Sequence, residues 1–437
     1  MGEQQAGWGG RSVYVVDGSR TPFLKARGKP GLFAASDLAV AAGQPLLARQ
    51  PFAASELDEV ILGCMMPSPD EANIGRVVSL RLGCGERVPA WTVQRNCASG
   101  LQSIDNAAQN IASGRSSLVL AGGVESMSRA PILFNDVMVN WLAAMARART
   151  PGAKLKVLAS LRPGHFKPVI ALLRGLTDPV VGLSMGQTAE ILAHRFGITR
   201  EMMDSFAMRS HLRVEKAHDS GHLDEIEPLY DARGNVYDRD DGVRPDSSME
   251  KLAKLKPVFD RHVGKVTAGN SAQITDGAAW VILASEEMVS RHNLPVLGQL
   301  IDSQWAGLDP AQMGLGPTYA MAPIMQRQGL DTSDIDYFEI NEAFAAQVLA
   351  CLAAWKDADF CRDELGRDTA FTAIDEERLN VDGGAVALGH PVGCSGARIV
   401  LHMLQLLKRE NAKRGMASIC IGGGQGGALL IERISDE

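Results

Sequence analysis

Four short stretches, far apart along a chain of 437 residues, carry side chains suited to nucleophilic and proton-transfer chemistry. The first is Asn96-Cys97-Ala98-Ser99-Gly100. It stands ahead of Leu101, Ile104, Ala108 and Ile111, whose three- and four-residue spacing predicts one buried helix face. A cysteine at a helix N-terminus feels a partial positive charge, so Cys97 is expected to favour thiolate over thiol, with small neighbours that let a substrate approach. Taken alone, a buried structural cysteine is the alternative. The second stretch is Gly383-Gly384-Ala385-Val386-Ala387-Leu388-Gly389-His390-Pro391. Its glycines and proline suit neither a strand nor a helix, which predicts His390 on a loop of close backbone approach. An imidazole there can move protons near neutrality.

The third stretch, Cys420-Ile421-Gly422-Gly423-Gly424-Gln425-Gly426-Gly427, formally contains a dinucleotide fingerprint at Gly422, Gly424 and Gly427. Strand-like Ala428-Leu429-Leu430-Ile431 follows, where the fingerprint demands a helix, and only ten residues remain after Gly427. The glycines are better read as exposing backbone N–H groups beside a cysteine, as an oxyanion site needs. The fourth, Asn341-Glu342-Ala343-Phe344, closes an apolar strand, and Asn341 could equally cap the next helix. Two cysteines and a histidine meeting in one pocket allow nucleophilic catalysis with a separate acid/base.

Those residues need a scaffold that brings them together. Short buried strands are predicted around Val13–Val16, Val60–Leu62, Leu118–Leu120, Ile282–Leu283, Ile340, Ile419–Ile421 and Leu429–Ile431, with apolar-periodic helical segments between them. That alternation argues for layered α/β architecture. An internal duplication is also legible. Asn96 to Gly100 leads into a helix, a stop at Gly114, an apolar strand and Ala121-Gly122-Gly123. Gly393-Cys394-Ser395-Gly396 leads into a helix with Ile399, Leu401, Leu404 and Leu407, a stop at Lys413-Arg414-Gly415, an apolar strand and Gly422-Gly423-Gly424. A weaker echo pairs Glu56–Ile61 with Asp334–Glu339. The duplication places Cys97 and the His390 loop at equivalent turns of two halves related by a pseudo-dyad.

The first half is expected over 1–130, completed by about 265–290, and the second over 291–437, with a different region at 131–264 between them. Within it, 131–183 carries seven Lys or Arg against two Asp and is rich in apolar runs. Such an insertion can lie on a membrane surface or contact a partner, or else it is a helical excursion packed on its own protein. The formal net charge of −7 lacks the basic excess of a nucleic-acid binder. No uncharged apolar run reaches the length of a membrane span. Met1–Gly10 lacks the basic start and apolar run of a secretory signal, and Ala6 stands where myristoylation at Gly2 wants Ser or Thr. The seven cysteines form no CxxC, so no disulfide framework or zinc site is indicated, and a cytoplasmic setting is expected.

At its four chemical stretches the sequence resembles the thiolases, with supporting matches at Arg20-Thr21-Pro22-Phe23, Met185–Glu190, Thr267–Asn270 and Asp276–Ala279. The resemblance spans nearly the whole chain. It implies two βαβαβαββ halves in α-β-α-β-α layers with an inserted loop domain. It implies a thiolase that cleaves 3-ketoacyl-CoA with CoA as co-substrate and no permanently bound cofactor or metal. Cys97 is then the acylated nucleophile, His390 its proton acceptor and Cys420 the second acid/base. Asn341 would orient a water that, with His390, binds the thioester oxygen, while the N–H groups of Cys97 and Gly422 form the other oxyanion hole. Arg244 would reach the adenine end of CoA. Ala268 and Ser271 belong to the CoA-binding loops, Ser271 standing one position before the serine of many relatives. Met185, Ala343 and Phe344 would line the acyl path, although Met185 and Phe344 could be plain core.

Ser184 replaces a histidine common in short-chain enzymes. The basic insertion resembles that of thiolase subunits in fatty-acid oxidation complexes, which points to a membrane or a hydratase/dehydrogenase partner, although those subunits tend to carry His where this chain has Asn341. A homodimer or homotetramer is expected. The rivals are a biosynthetic acetyl-CoA C-acetyltransferase, a decarboxylating condensing enzyme and a non-catalytic lipid-binding relative.

Overall fold

The computed structural model describes residues 8–434; the reading of Gly2 and Ala6 concerns positions outside that range. Nine strands run Val13–Arg20 (β1), Glu59–Gly63 (β2), Ala90–Val93 (β3), Leu118–Ser126 (β4), Thr275–Ser285 (β5), Gly298–Gly307 (β6), Tyr337–Ile340 (β7), Arg414–Ile421 (β8) and Gln425–Glu432 (β9). With Leu24–Lys25 they form one sheet in the order β7-β8-β9-β6-β1-β5-β4-β2-β3. The order mirrors itself about the β6–β1 junction, where only Val13–Val15 pair with Gly298–Leu300. On both sides antiparallel strands give way to parallel ones at the outer edge.

The duplication reaches individual hydrogen bonds. Asp58 accepts the N–H groups of Ser117 and Leu118 at the start of β4, and Asp336 accepts those of Lys413 and Arg414 at the start of β8. The second half departs at one place. Its counterpart of β3 shrinks to a single bridge between Phe338 and Leu379. Beside it the Asn380 amide bonds both the N–H and the carbonyl of Ile340, as a neighbouring strand would.

The helices are Ala35–Ala48 (α1), Ile74–Arg81 (α2), Ser99–Ala112 (α3), Asp136–Arg147 (α4), Pro151–Ala159 (α5), Met185–Arg195 (α6), Arg200–Asp219 (α7), Gly316–Gln328 (α8), Ala345–Lys356 (α9) and Ser395–Arg409 (α10), with several shorter turns. Three apolar clusters make the layers explicit. Val119, Val281 and Leu283 from one side and Ile419, Leu429 and Ile431 from the other bury against Leu101, Ile104, Ile399 and Leu404 of α3 and α10. Trp280, Leu120 and Ile282 pack outward on α1, and Met416 and Leu430 pack outward on α8. The result is helix, sheet, paired α3 and α10, sheet, helix.

The two middle helices meet through glycine. A Cβ on Gly100 would sit 2.8 Å from the Gly393 carbonyl oxygen, and one on Gly396 would sit 2.5 Å from the Leu101 nitrogen. Only glycine permits that approach, and it brings the turn before α10 onto the turn before α3. Gly114 ends α3 at φ 80°, as the sequence predicts. The predicted stop for α10 is one turn out of place: Asn411, at φ 52°, takes the left-handed position, and Gly415 lies inside β8. Asparagine tolerates that region, so no glycine is required there.

The insertion builds α4 and α5 as a hairpin fastened by Trp141 Nε1 on the Val157 carbonyl. Met138 is buried, but much of the insertion's apolar face is not: Ile132, Phe134, Leu155, Phe166 and Val180 are each more than half exposed. Among the described residues no helix is long and apolar enough to cross a membrane.

Candidate active site

Cys97 sits in the turn entering α3. Asn96 precedes it at φ 45°, and Ser99 Oγ fixes the turn by accepting the Arg95 N–H at 2.9 Å and donating to the Asn96 carbonyl at 2.7 Å. Asn96 Nδ2 then reaches across to the other half and donates to the Gly422 carbonyl at 2.8 Å. The backbone N–H groups of Gly422 and of Cys97 itself bond the Cys97 sulfur and pull its thiol down, but burial outweighs them and Glu125 adds to the rise. The expectation of a lowered thiol is therefore corrected: desolvation beats the helix end, and resting Cys97 is a thiol that needs a base.

Cys420 is the penultimate residue of β8 and fully buried. Burial pushes its thiol well above the usual range, and charge on Cys97 and Cys351 pushes it further. The two sulfurs thus lie within electrostatic reach of each other, one from each half.

His390 follows Gly389, whose φ of 97° and missing Cβ (which would lie 2.1 Å from Thr275) let the loop turn. Its N–H donates to the Gln273 carbonyl at 3.0 Å. Nδ1 lies 2.6 Å from Ser395 Oγ, which in turn donates to the Pro391 carbonyl. Ser395 must then accept from Nδ1–H, which assigns the tautomer and leaves Nε2 bare. Nε2 is buried with no partner. Burial first, then Arg398, lowers the imidazole to about 3, so it is a neutral base at ordinary pH.

Asn341 does not cap α9, since Phe344 holds the N-cap position. Its N–H pairs with the Ser418 carbonyl beside Cys420, and both its side-chain amide atoms are buried without partners. Each unpaired buried group costs about 1–3 kcal/mol, so a water or substrate atom is expected to complete the site. The segment 270–273 ties the pieces together. Ala272 N–H bonds the Ala343 carbonyl, Ala345 N–H bonds the Asn270 carbonyl, and Gln273 holds His390.

Apolar side chains pack beside the Gly422 turn. Met185 Sδ stands 3.2 Å from where a Cβ on Gly422 would lie, and Phe344 meets Phe259 edge-on at 5.8 Å. Met185, Ala343 and Phe344 are largely buried in one apolar cluster, as the core reading of Met185 and Phe344 has it. Ser184 caps α6 with Gln187. Arg244 donates its N–H to His211 Nδ1 and adds to the lowering that burial imposes on the Lys25 ammonium. Gln273 Nε2 joins the Gly242 and Ala387 carbonyls, which links the Arg244 segment to the His390 turn. Ala268 is exposed, and Ser271 is buried with its hydroxyl on the Thr267 carbonyl.

Sequence reasoning passed over Glu125, a fully buried carboxylate bonded to three backbone N–H groups, one of them in the turn that follows His390. The available signal was an acidic residue within the otherwise apolar and small-residue run Leu118–Ser126.

Comparison with known proteins bears on this geometry. The family model described as "Thiolase, N-terminal domain" matches residues 13–287, and "Thiolase, C-terminal domain" matches 294–433. The chain is 36% identical over 423 residues to a mitochondrial trifunctional enzyme subunit beta from Bos taurus, covering 97% of this chain and 88% of that one. It is 36% identical over 426 residues to a 3-ketoacyl-CoA thiolase from Serratia proteamaculans, covering 97% of both. Among solved structures, a human mitochondrial 3-ketoacyl-CoA thiolase in complex with CoA superposes with TM-score 0.84 at 37% identity, covering 99% of this chain and 100% of that one. An acetyl-CoA acetyltransferase from Syntrophomonas wolfei gives the same TM-score of 0.84 at 34% identity, covering 97% and 100%.

Proposed function

The chain belongs to the thiolase family, and on that premise we propose that it cleaves 3-ketoacyl-CoA with CoA to acetyl-CoA and a shortened acyl-CoA in fatty-acid β-oxidation. His390 Nε2 takes the Cys97 proton, and the thiolate attacks the 3-keto carbon. The resulting oxyanion is held by the N–H groups of Cys97 and Gly422. Collapse breaks the C2–C3 bond and sends its electron pair into the acetyl-CoA enolate. The enolate oxygen is held by the new His390 Nε2–H and by a water on Asn341, and the Cys420 thiol protonates C2. The Cys420 thiolate next takes the proton of CoA, whose sulfur attacks the acyl group on Cys97, and His390 returns its proton to the departing Cys97. Each oxyanion donor is worth about 3 kcal/mol. Arg244, Ala268 and Ser271 are assigned to the CoA side, and Met185, Ala343 and Phe344 to the acyl side.

The observation that carries this reading is the neutral histidine with a bare, buried Nε2, in a loop tied through 272–273 to the Asn341 segment and packed through Gly393 on Gly100, at the start of the helix that Cys97 precedes. Loss of the 3-keto thioester is followed with CoA and either acetoacetyl-CoA or a long-chain 3-ketoacyl-CoA. Turnover of the long substrate is expected. Turnover of the short one alone would instead mark a biosynthetic acetyl-CoA C-acetyltransferase, and turnover of neither a lipid-binding relative.

A cytoplasmic homodimer or homotetramer fits this role. The exposed apolar and basic face of 131–183 is assigned to a hydratase/dehydrogenase subunit, a reading supported by similarity to a protein named as one subunit of a trifunctional enzyme. Replacing Phe134, Leu155 and Phe166 by serine is expected to abolish co-elution with such a subunit and to leave thiolysis unchanged. Retained co-elution with lost sedimentation on anionic vesicles would move the assignment to a membrane surface.

A further inference from the structure

Proton transfer from Cys97 to His390 requires the two turns that carry them to hold still, and the His390 turn is rich in glycine. Glu125, at the end of β4, reaches it. Its Oε2 accepts the Gly393 N–H at 3.0 Å and the Met65 N–H at 2.9 Å, and its Oε1 accepts the Met66 N–H at 3.1 Å with Cys64 Sγ 3.7 Å away. The carboxyl is fully buried. It therefore joins the 64–66 turn, at the end of β2, to the 390–393 turn that enters α10. These turns lie in different halves of the chain. The same Gly393 abuts Gly100, at the start of α3.

We propose that Glu125 is a positioning residue for this reaction, a carboxylate clamp that sets the His390 turn against the Cys97 turn through the Gly393 N–H. The proposal rests on the roles given above to Cys97 and His390. Four donors converge on two oxygens, which only an ionised carboxylate can accept; a glutamine has one acceptor oxygen and would turn an N–H₂ toward N–H groups. Burial, opposed by those same N–H groups, raises the carboxyl to about 7. The titratable and charged groups around it are the thiols of Cys64, Cys97 and Cys394, with Glu71 beyond Cys64 and Arg20, Arg398 and Asp240 beyond Cys394. Protonation places a hydrogen among the donors and frees part of the clamp. The sign follows: the clamp is closed above about pH 7 and opens as pH falls through it. His390, neutral down to about 3, cannot cause a loss of rate there.

The test is the pH profile of kcat for thiolysis between about pH 5.5 and 8.5, for the wild type, Glu125→Gln and Glu125→Asp, together with thermal melting and the rate of Cys97 alkylation by iodoacetamide. The wild type should lose kcat on the acid side of pH 7. Glu125→Gln should lower kcat by roughly 10- to 100-fold at high pH, the scale of a small misplacement, with KM nearly unchanged and the acid limb gone. Its Cys97 should still be alkylated, showing that the site is formed. Glu125→Asp, which keeps a titrating carboxyl in a displaced position, should keep an acid limb at a shifted pH, and it carries the test if the glutamine variant does not fold. A glutamine variant with wild-type kcat or an unmoved acid limb overturns the clamp, as does an aspartate variant with a wild-type profile. A wild type that cleaves no 3-ketoacyl-CoA, or is indifferent to alkylation of Cys97, defeats the proposed roles themselves and the clamp with them.

Discussion

Cys97→Ser is expected to reduce thiolysis by roughly 10⁴-fold or more, the scale reached when a covalent nucleophile is disabled and binding is left intact. The substitution exchanges one atom inside a half-buried turn whose backbone is fixed by Ser99 and Asn96, so the fold and melting temperature should be preserved. The loss is chemical: an alcohol gives up its proton less readily than a thiol, and an ester is a poorer acyl donor to CoA than a thioester. Mass spectrometry should show acyl transfer to the wild-type chain at Cys97 and no such adduct on the variant. Residual activity within tenfold of the wild type would dismiss Cys97 as the nucleophile. The raised thiol adds a kinetic signature. Because burial keeps resting Cys97 protonated, its alkylation by iodoacetamide should climb by about tenfold per pH unit from neutrality toward pH 9. A plateau near neutrality would mean that the helix end prevails over burial after all.

The legibility of this molecule in its sequence follows from which signals are local. The strands around Val13, Val60, Leu118, Ile282, Ile340, Ile419 and Leu429 are mostly buried apolar runs, and each appears where its residues predict it. Gly298–Gly307 was not legible, because Gln299, Asp302, Ser303 and Gln304 interrupt its apolar character at a half-covered position between β9 and β1. Ala90–Val93 is a short edge strand and equally quiet. The repeat was readable because each half must solve the same problem of seating a helix between two sheets, so Gly100 and Gly396 recur. Four candidate residues, Cys97, His390, Cys420 and Asn341, carry reactive or amide groups in unusual settings and stand out by type. Glu125 is the opposite case. Its role depends on backbone N–H groups at 65, 66 and 393, which no property of residue 125 announces. The Cys97 thiol was misjudged for a related reason: helix position is read from sequence, whereas desolvation depends on what the second half lays over the turn.

His390→Asn should be nearly as damaging as loss of the nucleophile. In the proposed cycle the imidazole does two jobs at one atom. Its bare Nε2 accepts the Cys97 proton, a contribution of about 10²–10⁴ in rate, and once protonated it donates to the substrate oxygen, a further 10²–10³ or so, the two not being independent. Asparagine can keep a polar contact with Ser395 and fill part of the space, so the turn between Gly389 and Gly393 should survive. It offers no base. Thiolysis is expected to fall by roughly 10³-fold or more, with KM changed little, because Arg244, proposed for the CoA side, is untouched. The pH dependence then separates a missing base from a distorted site. In the wild type, a histidine that stays neutral down to about 3 adds no limb of its own, so the rate should be flat once pH is above the Glu125 transition. In the variant, hydroxide must take the Cys97 proton, so the remaining rate should rise steadily toward alkaline pH. A variant rate that is equally low and flat at every pH would show that His390 shapes the pocket without accepting the proton.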